Sequence, residues 1–101
     1  VHRKGRCKTV IGRCLARPDR CGALRCVFDE LLGPTRAGPG CIGYESFVRA
    51  DRPNEFVTVE RWRDAAAVEA HMASTHVARA FEHGAPLPAA APGIVAYERI
   101  A

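Results

Sequence analysis

A chain of 101 residues, 48% hydrophobic and 26% charged, has the size of one domain with a single core and the composition of a soluble globular protein. No apolar run approaches the ~20 residues that a membrane-spanning helix needs, and Val1 to Arg6 lead into no apolar stretch of the secretory kind, so a cytoplasmic protein is expected. The net charge of +4 equals the four positives Arg3, Lys4, Arg6 and Lys8, all of which precede the first acid, Asp19. Residues 1–8 therefore read as a short, basic, flexible tail, and the balanced remainder, residues 9–101, offers no charged face for nucleic acid or membrane. The chain begins at Val1 rather than Met, so its start is trimmed or incomplete.

The first expected strand runs from about Thr9 to Ala16, alternating Val10, Gly12, Cys14 and Ala16 against Thr9, Ile11, Arg13 and Leu15. Pro18 and Asp19 open a helix whose apolar positions, Cys21, Leu24, Val27, Phe28, Leu31 and Leu32, recur at steps of three and four and make one core-facing stripe. Gly33-Pro34 weakens this helix and Gly38-Pro39-Gly40 ends it. A second strand follows from Cys41 to Val48, then turn chemistry over Arg49 to Asn54, then a third strand from Glu55 to Trp62. Asp64 is placed to cap a helix reaching about Ala73, and Ser74 to cap its restart through Val77, Ala80 and Phe81 to about His83. Gly84 to Pro92 reads as a loop, and Ile94 to Ile100 as the last strand. The order βαββαβ predicts a ferredoxin-like α+β fold, a four-stranded antiparallel sheet with helices on one face.

An exposed sheet face ordinarily alternates toward polar residues. Here Phe56 and Trp62 oppose Val57 and Val59, and Ile94, Ala96 and Ile100 oppose Val95 and Tyr97, so both faces are apolar. A homodimer with two sheets packed face to face would cover the second face. The five cysteines, Cys7, Cys14, Cys21, Cys26 and Cys41, are odd in number and lack zinc spacing, so they read as free, packed thiols rather than ligands or disulfides.

Pro34-Thr35-Arg36-Ala37-Gly38-Pro39-Gly40-Cys41, Tyr44-Glu45, Asn54-Glu55-Phe56-Val57, and Glu60-Arg61-Trp62-Arg63-Asp64 through His71-Met72-Ala73-Ser74-Thr75-His76 follow one another in the order and spacing of the antibiotic biosynthesis monooxygenase family. The sequence resembles that family, and its quinol monooxygenases in particular, over roughly Thr9 to Ile100. The resemblance implies a dimeric α+β barrel. It also implies a cofactor-independent monooxygenase that takes a small aromatic, quinol or polyketide-like substrate, removes its proton and lets the anion react with dioxygen, with no metal, haem or flavin. Such chemistry needs a base near neutrality in a dry, aromatic-lined cavity.

His71 is the leading candidate base, with Glu60 as its catalytic companion; Trp62, Tyr44, His76 and Phe81 are candidates for the substrate-binding wall. Each has a plainer alternative. These are a His71 that caps or packs at a helix edge, a Glu60 paired with Arg13 or Arg99, Trp62, Tyr44 and Phe81 as core residues, and a His76 that faces solvent. The Asn-Trp-His set of the family's haem-degrading members falls on Gly12, His71 and Phe81, and none of the three matches. Two rival functions use the same barrel: a non-catalytic dimeric ligand-binding or stress-associated protein, and an isomerase or decarboxylase of small oxygenated metabolites.

Overall fold

The computed structural model describes residues 7–101, so most of the expected basic tail lies outside the described residues. The elements run β1 (Lys8–Leu15), α1 (Cys21–Arg36), β2 (Cys41–Arg49), β3 (Arg52–Trp62), α2 (Ala65–Met72), α3 (Thr75–Gly84) and β4 (Gly93–Tyr97). The four strands form one open antiparallel sheet in the order β2-β3-β1-β4, with β2 and β4 at its edges. This is the ferredoxin-like topology read from the element order. Among the described residues, no helix is long and apolar enough to cross a membrane.

Several boundaries moved, each for a physical reason. β1 starts at Lys8, whose ammonium pairs with Glu98; a basic residue next to a strand is drawn into it when a carboxylate is waiting. β3 begins at Arg52 rather than Glu55, because Arg49 pairs with Arg52 across a two-residue turn. Pro53 is tolerated there since it sits where the register shifts, a place where a missing N–H costs no ladder bond. α1 starts at Cys21 with Arg20 as a cap that makes no side-chain bond, so Asp19 does not cap it. Pro34 lies inside its last turns without ending it, and the helix continues to Arg36. β4 stops at Tyr97, which leaves Ile100 outside the sheet and 99% exposed.

Both expected caps form. Asp64 accepts from the Ala67 N–H at 2.9 Å and Ser74 from that of Val77 at 3.4 Å, each filling an orphan donor of a first helical turn. Gly40 is the residue that lets α2 settle onto this part of the fold. Its φ of 79° suits glycine, and a Cβ there would stand 2.5 Å from that of Ala67. Its carbonyl accepts from the Arg63 N–H at 2.8 Å, which ties the β3–α2 junction to the turn before β2.

The side of the sheet facing the helices carries the even-numbered residues of β1 and β3. Val10 and Cys14 lie buried there beside Phe56, Thr58, Glu60 and Trp62. One apolar cluster joins Cys14, Ala16, Leu24 and Phe56, with Phe28 stacked on Phe56. A second joins Val10, Trp62 and Ala67. The cysteines are free, as expected, but only Cys14 is buried; Cys7 and Cys26 are exposed, because Cys26 falls off the helical stripe that packs.

Candidate active site

Between the inner sheet face and the helices lies a cavity of about 500 Å³, a volume within the range of small-molecule sites. Leu24, Val27, Phe28 and Leu31 of α1 and Val77, Ala80 and Phe81 of α3 line its apolar part, and the segment between α3 and β4 closes one side. Its polar lining is concentrated on Tyr44, Thr58, Glu60 and His71. Met72 and Phe81, 39% and 47% exposed, mark where it meets solvent. The result is an apolar chamber with one polar end.

Strand alternation builds that end. Thr58, Glu60 and Trp62 are successive inward positions of β3, so their side chains stand in a row. Glu60 accepts from Thr58 Oγ1 at 2.9 Å on one carboxyl oxygen and from Trp62 Nε1 at 3.1 Å on the other. Tyr44 is its neighbour across the β2–β3 ladder. Helical spacing then delivers His71, one turn beyond Ala67 on the buried face of α2. Its ring lies over Trp62, with centroids 4.6 Å apart, and its Nε2 is 3.7 Å from Glu60 Oε1. At that separation the contact is electrostatic rather than a hydrogen bond.

The electrostatics follow from burial. Desolvation, and after it the like charge His76 would carry, push the His71 imidazole down to about 4, so it is neutral at pH 7. Desolvation pushes the Glu60 carboxyl up from its ordinary range, and the hydrogen bonds from Thr58 and Trp62 hold it back. Burial, then the nearby Glu60, raises the Tyr44 phenol well above its usual value, so it stays a neutral hydroxyl. The neutral imidazole can accept a proton, but burial makes it a weaker base than the near-neutral one expected, so a proton stays on it only with an anion beside it, Glu60 or an ionised ligand.

The sequence-derived residues divide into two groups. His71, Glu60, Tyr44 and Phe81 all line the cavity. Trp62 is 1% exposed and is absent from the lining; it supports His71 and Glu60 from behind. His76 lines a separate groove between α1 and α3. The alternative ion pair for Glu60 does not form, since Arg13 bonds instead to Glu55 at 2.8 Å and Arg99 to the carbonyl of Ala101. Two further residues emerge only from the structure. Thr58 is a donor to Glu60, which its place two residues earlier on the same strand face would have signalled. Gly12 faces it across the β1–β3 ladder, where a Cβ would stand 2.7 Å from Thr58 Oγ1.

A ferredoxin-like sheet with an apolar chamber that opens to solvent beside Met72 and Phe81, and with one polar end, defines a class of small-molecule site. The comparisons make the assignment particular. Residues 9–83 match the family model for antibiotic biosynthesis monooxygenase, and the chain belongs to that family. It is 42% identical over 67 residues to Rv0793 of Mycobacterium tuberculosis, covering 66% of this chain and 65% of that protein. It is 31% identical over 62 residues to sll1783 of Synechocystis, covering 61% and 42%. The match thus spans less than two thirds of these curated relatives. In three dimensions the chain superposes on the structure of Rv0793 with a TM-score of 0.89 at 30% identity, covering 94% of this chain and 96% of that one. It superposes on PA3566 of Pseudomonas aeruginosa with a TM-score of 0.89 at 29% identity over 100% of both.

Proposed function

We propose that this protein is a monooxygenase that oxidises a small aromatic, quinol or polyketide-like substrate with dioxygen, using its own side chains and the electron-rich substrate rather than a bound cofactor. The single observation that carries this reading is the His71–Glu60 pair at the one polar end of an otherwise apolar cavity. Family membership and Rv0793, itself named as a candidate monooxygenase, support it.

In this reading the substrate's rings occupy the chamber against Phe28, Leu31 and Phe81, and its hydroxyl meets His71. His71 takes the proton, and the imidazolium is held between Glu60 and the new substrate anion. The anion passes one electron to dioxygen, and the radical pair recombines on a ring carbon. Dry walls keep the anion from being reprotonated by water. The outer sheet face, where Phe47, Val95 and Tyr97 are each half exposed, is covered by a second copy packed sheet to sheet, which completes the barrel.

Oxygen uptake with a quinol or anthrone as substrate tests the proposal. The wild-type chain consumes oxygen, and His71→Ala turns over about 10²- to 10⁴-fold more slowly, the contribution of a positioned general base. No uptake with any such substrate, or uptake unchanged in His71→Ala, would sink it. Turnover of a substrate without oxygen would instead favour an isomerase.

A further inference from the structure

His71 is buried, so protons exchange between it and water only along a path through the protein, and Glu60 beside it is buried too. A second imidazole, that of His76, lies beside His71 with its centroid 5.7 Å away, so the facing edges of the two rings are close to contact. His76 sits at the first turn of α3 and lines the second cavity, a groove of about 260 Å³ between α1 and α3 that also holds Glu30, Arg79 and His83. The two histidines therefore stand on either side of the boundary between the catalytic chamber and that groove.

Hydrogen bonding fixes the state of His76. The Ser74 hydroxyl has one proton, and at 2.6 Å it goes to the His71 carbonyl, which can only accept. The Ser74 oxygen then accepts from the Val77 N–H at 3.4 Å and, at 3.3 Å, from Nε2 of His76. Neutral His76 accordingly carries its proton on Nε2 and leaves Nδ1 free as a base. Ser74 also joins the two residues mechanically, since one oxygen is bonded to the backbone of His71 and the ring of His76.

We infer that His76 is the proton exit of this site: His71, protonated by the substrate, hands a proton to Nδ1 of His76, which releases it to water in the groove between α1 and α3. The inference rests on the reading of His71 as the base. The proton count balances over a turnover: the substrate proton reaches solvent through His71 and His76, which both return to neutrality, and the peroxide anion formed with dioxygen takes one proton back from water as its O–O bond breaks to release water. Transfer runs from the buried ring to the half-buried one, and charge in that direction moves toward solvent. Tyr44 and Glu60, the other titratable groups facing His71, do not open onto the groove.

The test uses the full chain with 15N-labelled histidine and follows exchange of the His71 ring N–H with water by NMR. His76→Gln keeps an N–H for Ser74 but cannot carry a proton; His76→Asn is the second variant, should the longer amide disturb the start of α3. The expected result is slowing of His71 ring exchange by about tenfold or more in the variant. With anthrone, kcat should fall while KM holds, and added imidazole should restore it. Exchange at the wild-type rate in His76→Gln overturns the relay, because a purely positional His76 would be replaced by Gln without loss. If the wild-type chain takes up no oxygen but His76→Gln still slows exchange, the monooxygenase reading fails and the relay stands.

Discussion

The two faces of the sheet are both rich in apolar residues, but they are finished differently. On the inner face Phe56, Thr58, Glu60 and Trp62 are all buried, and the polar members of the row are hydrogen-bonded to one another. On the outer face Phe47, Val95 and Tyr97 remain half exposed, and Val57 and Val59 between them are only partly covered. Its one buried acid, Glu55, is held by Arg13, Arg49 and Arg52. Helices cover the inner face, so a carboxyl and an imidazole there are desolvated, which raises the first and lowers the second. Among the described residues, no element encloses the outer face. The proposed function gives the inner face the chemistry and the outer face the contact with a second copy.

That contrast can be broken from either side. The largest effect is expected from Val59→Asp, which places a charge in the middle of the outer face. It should weaken self-association about 100-fold or more, seen by sedimentation as a shift from two chains to one, while the monomer stays folded. A variant that sediments as wild type would show that this face does not hold the dimer. Gly12→Ala attacks the inner face, where the added methyl collides with the Thr58 hydroxyl and loosens Glu60. Overpacking of this kind costs about 1–3 kcal/mol, so the thermal midpoint and the turnover rate should fall together.

A smaller effect sharpens the electrostatics. The folded His71 titrates near 4, below its unfolded value of 6.5, so the unfolded chain binds more protons across that window. Stability from this group is therefore full above 6.5 and is lost as the pH falls toward 4. Glu60 has the opposite sign, since its raised folded value adds stability as the pH falls below it. Glu60→Gln removes the opposing contribution, and its melting temperature should drop more steeply than wild type between pH 6.5 and 4. Equal slopes would contradict the assigned shifts.

Much of this was legible in the sequence because it follows from short-range rules. Asp64 and Ser74 announced their helix starts, and β3 alternation put Glu60 and Trp62 on one face. The four-residue step from Ala67 brought His71 to the same place. What escaped depended on partners distant in sequence. Which acid Arg13 would meet depended on the β1–β3 register, which places Arg13 with Glu55 on the outer face and Glu60 on the inner one. Trp62 looked like a pocket wall and is a support, because His71 comes between it and the chamber. His76, two residues past a cap, could have turned inward or outward, and only the packing of α3 on α1 decides that. Gly38-Pro39-Gly40 also stopped α1 where expected, and Pro34 sits inside its last turns, where a proline disturbs few carbonyls.

The account stands on His71 and Glu60 accepting a proton from a ligand inside the chamber. Its most direct test is the absorption spectrum of a chromogenic phenol, 4-nitrophenol, bound to the protein below the phenol's own pKa. The account predicts the phenolate band with wild-type protein and the neutral phenol band with His71→Ala at equal occupancy. A bound phenol that stays protonated in the wild type, or ionises equally in both, would contradict it.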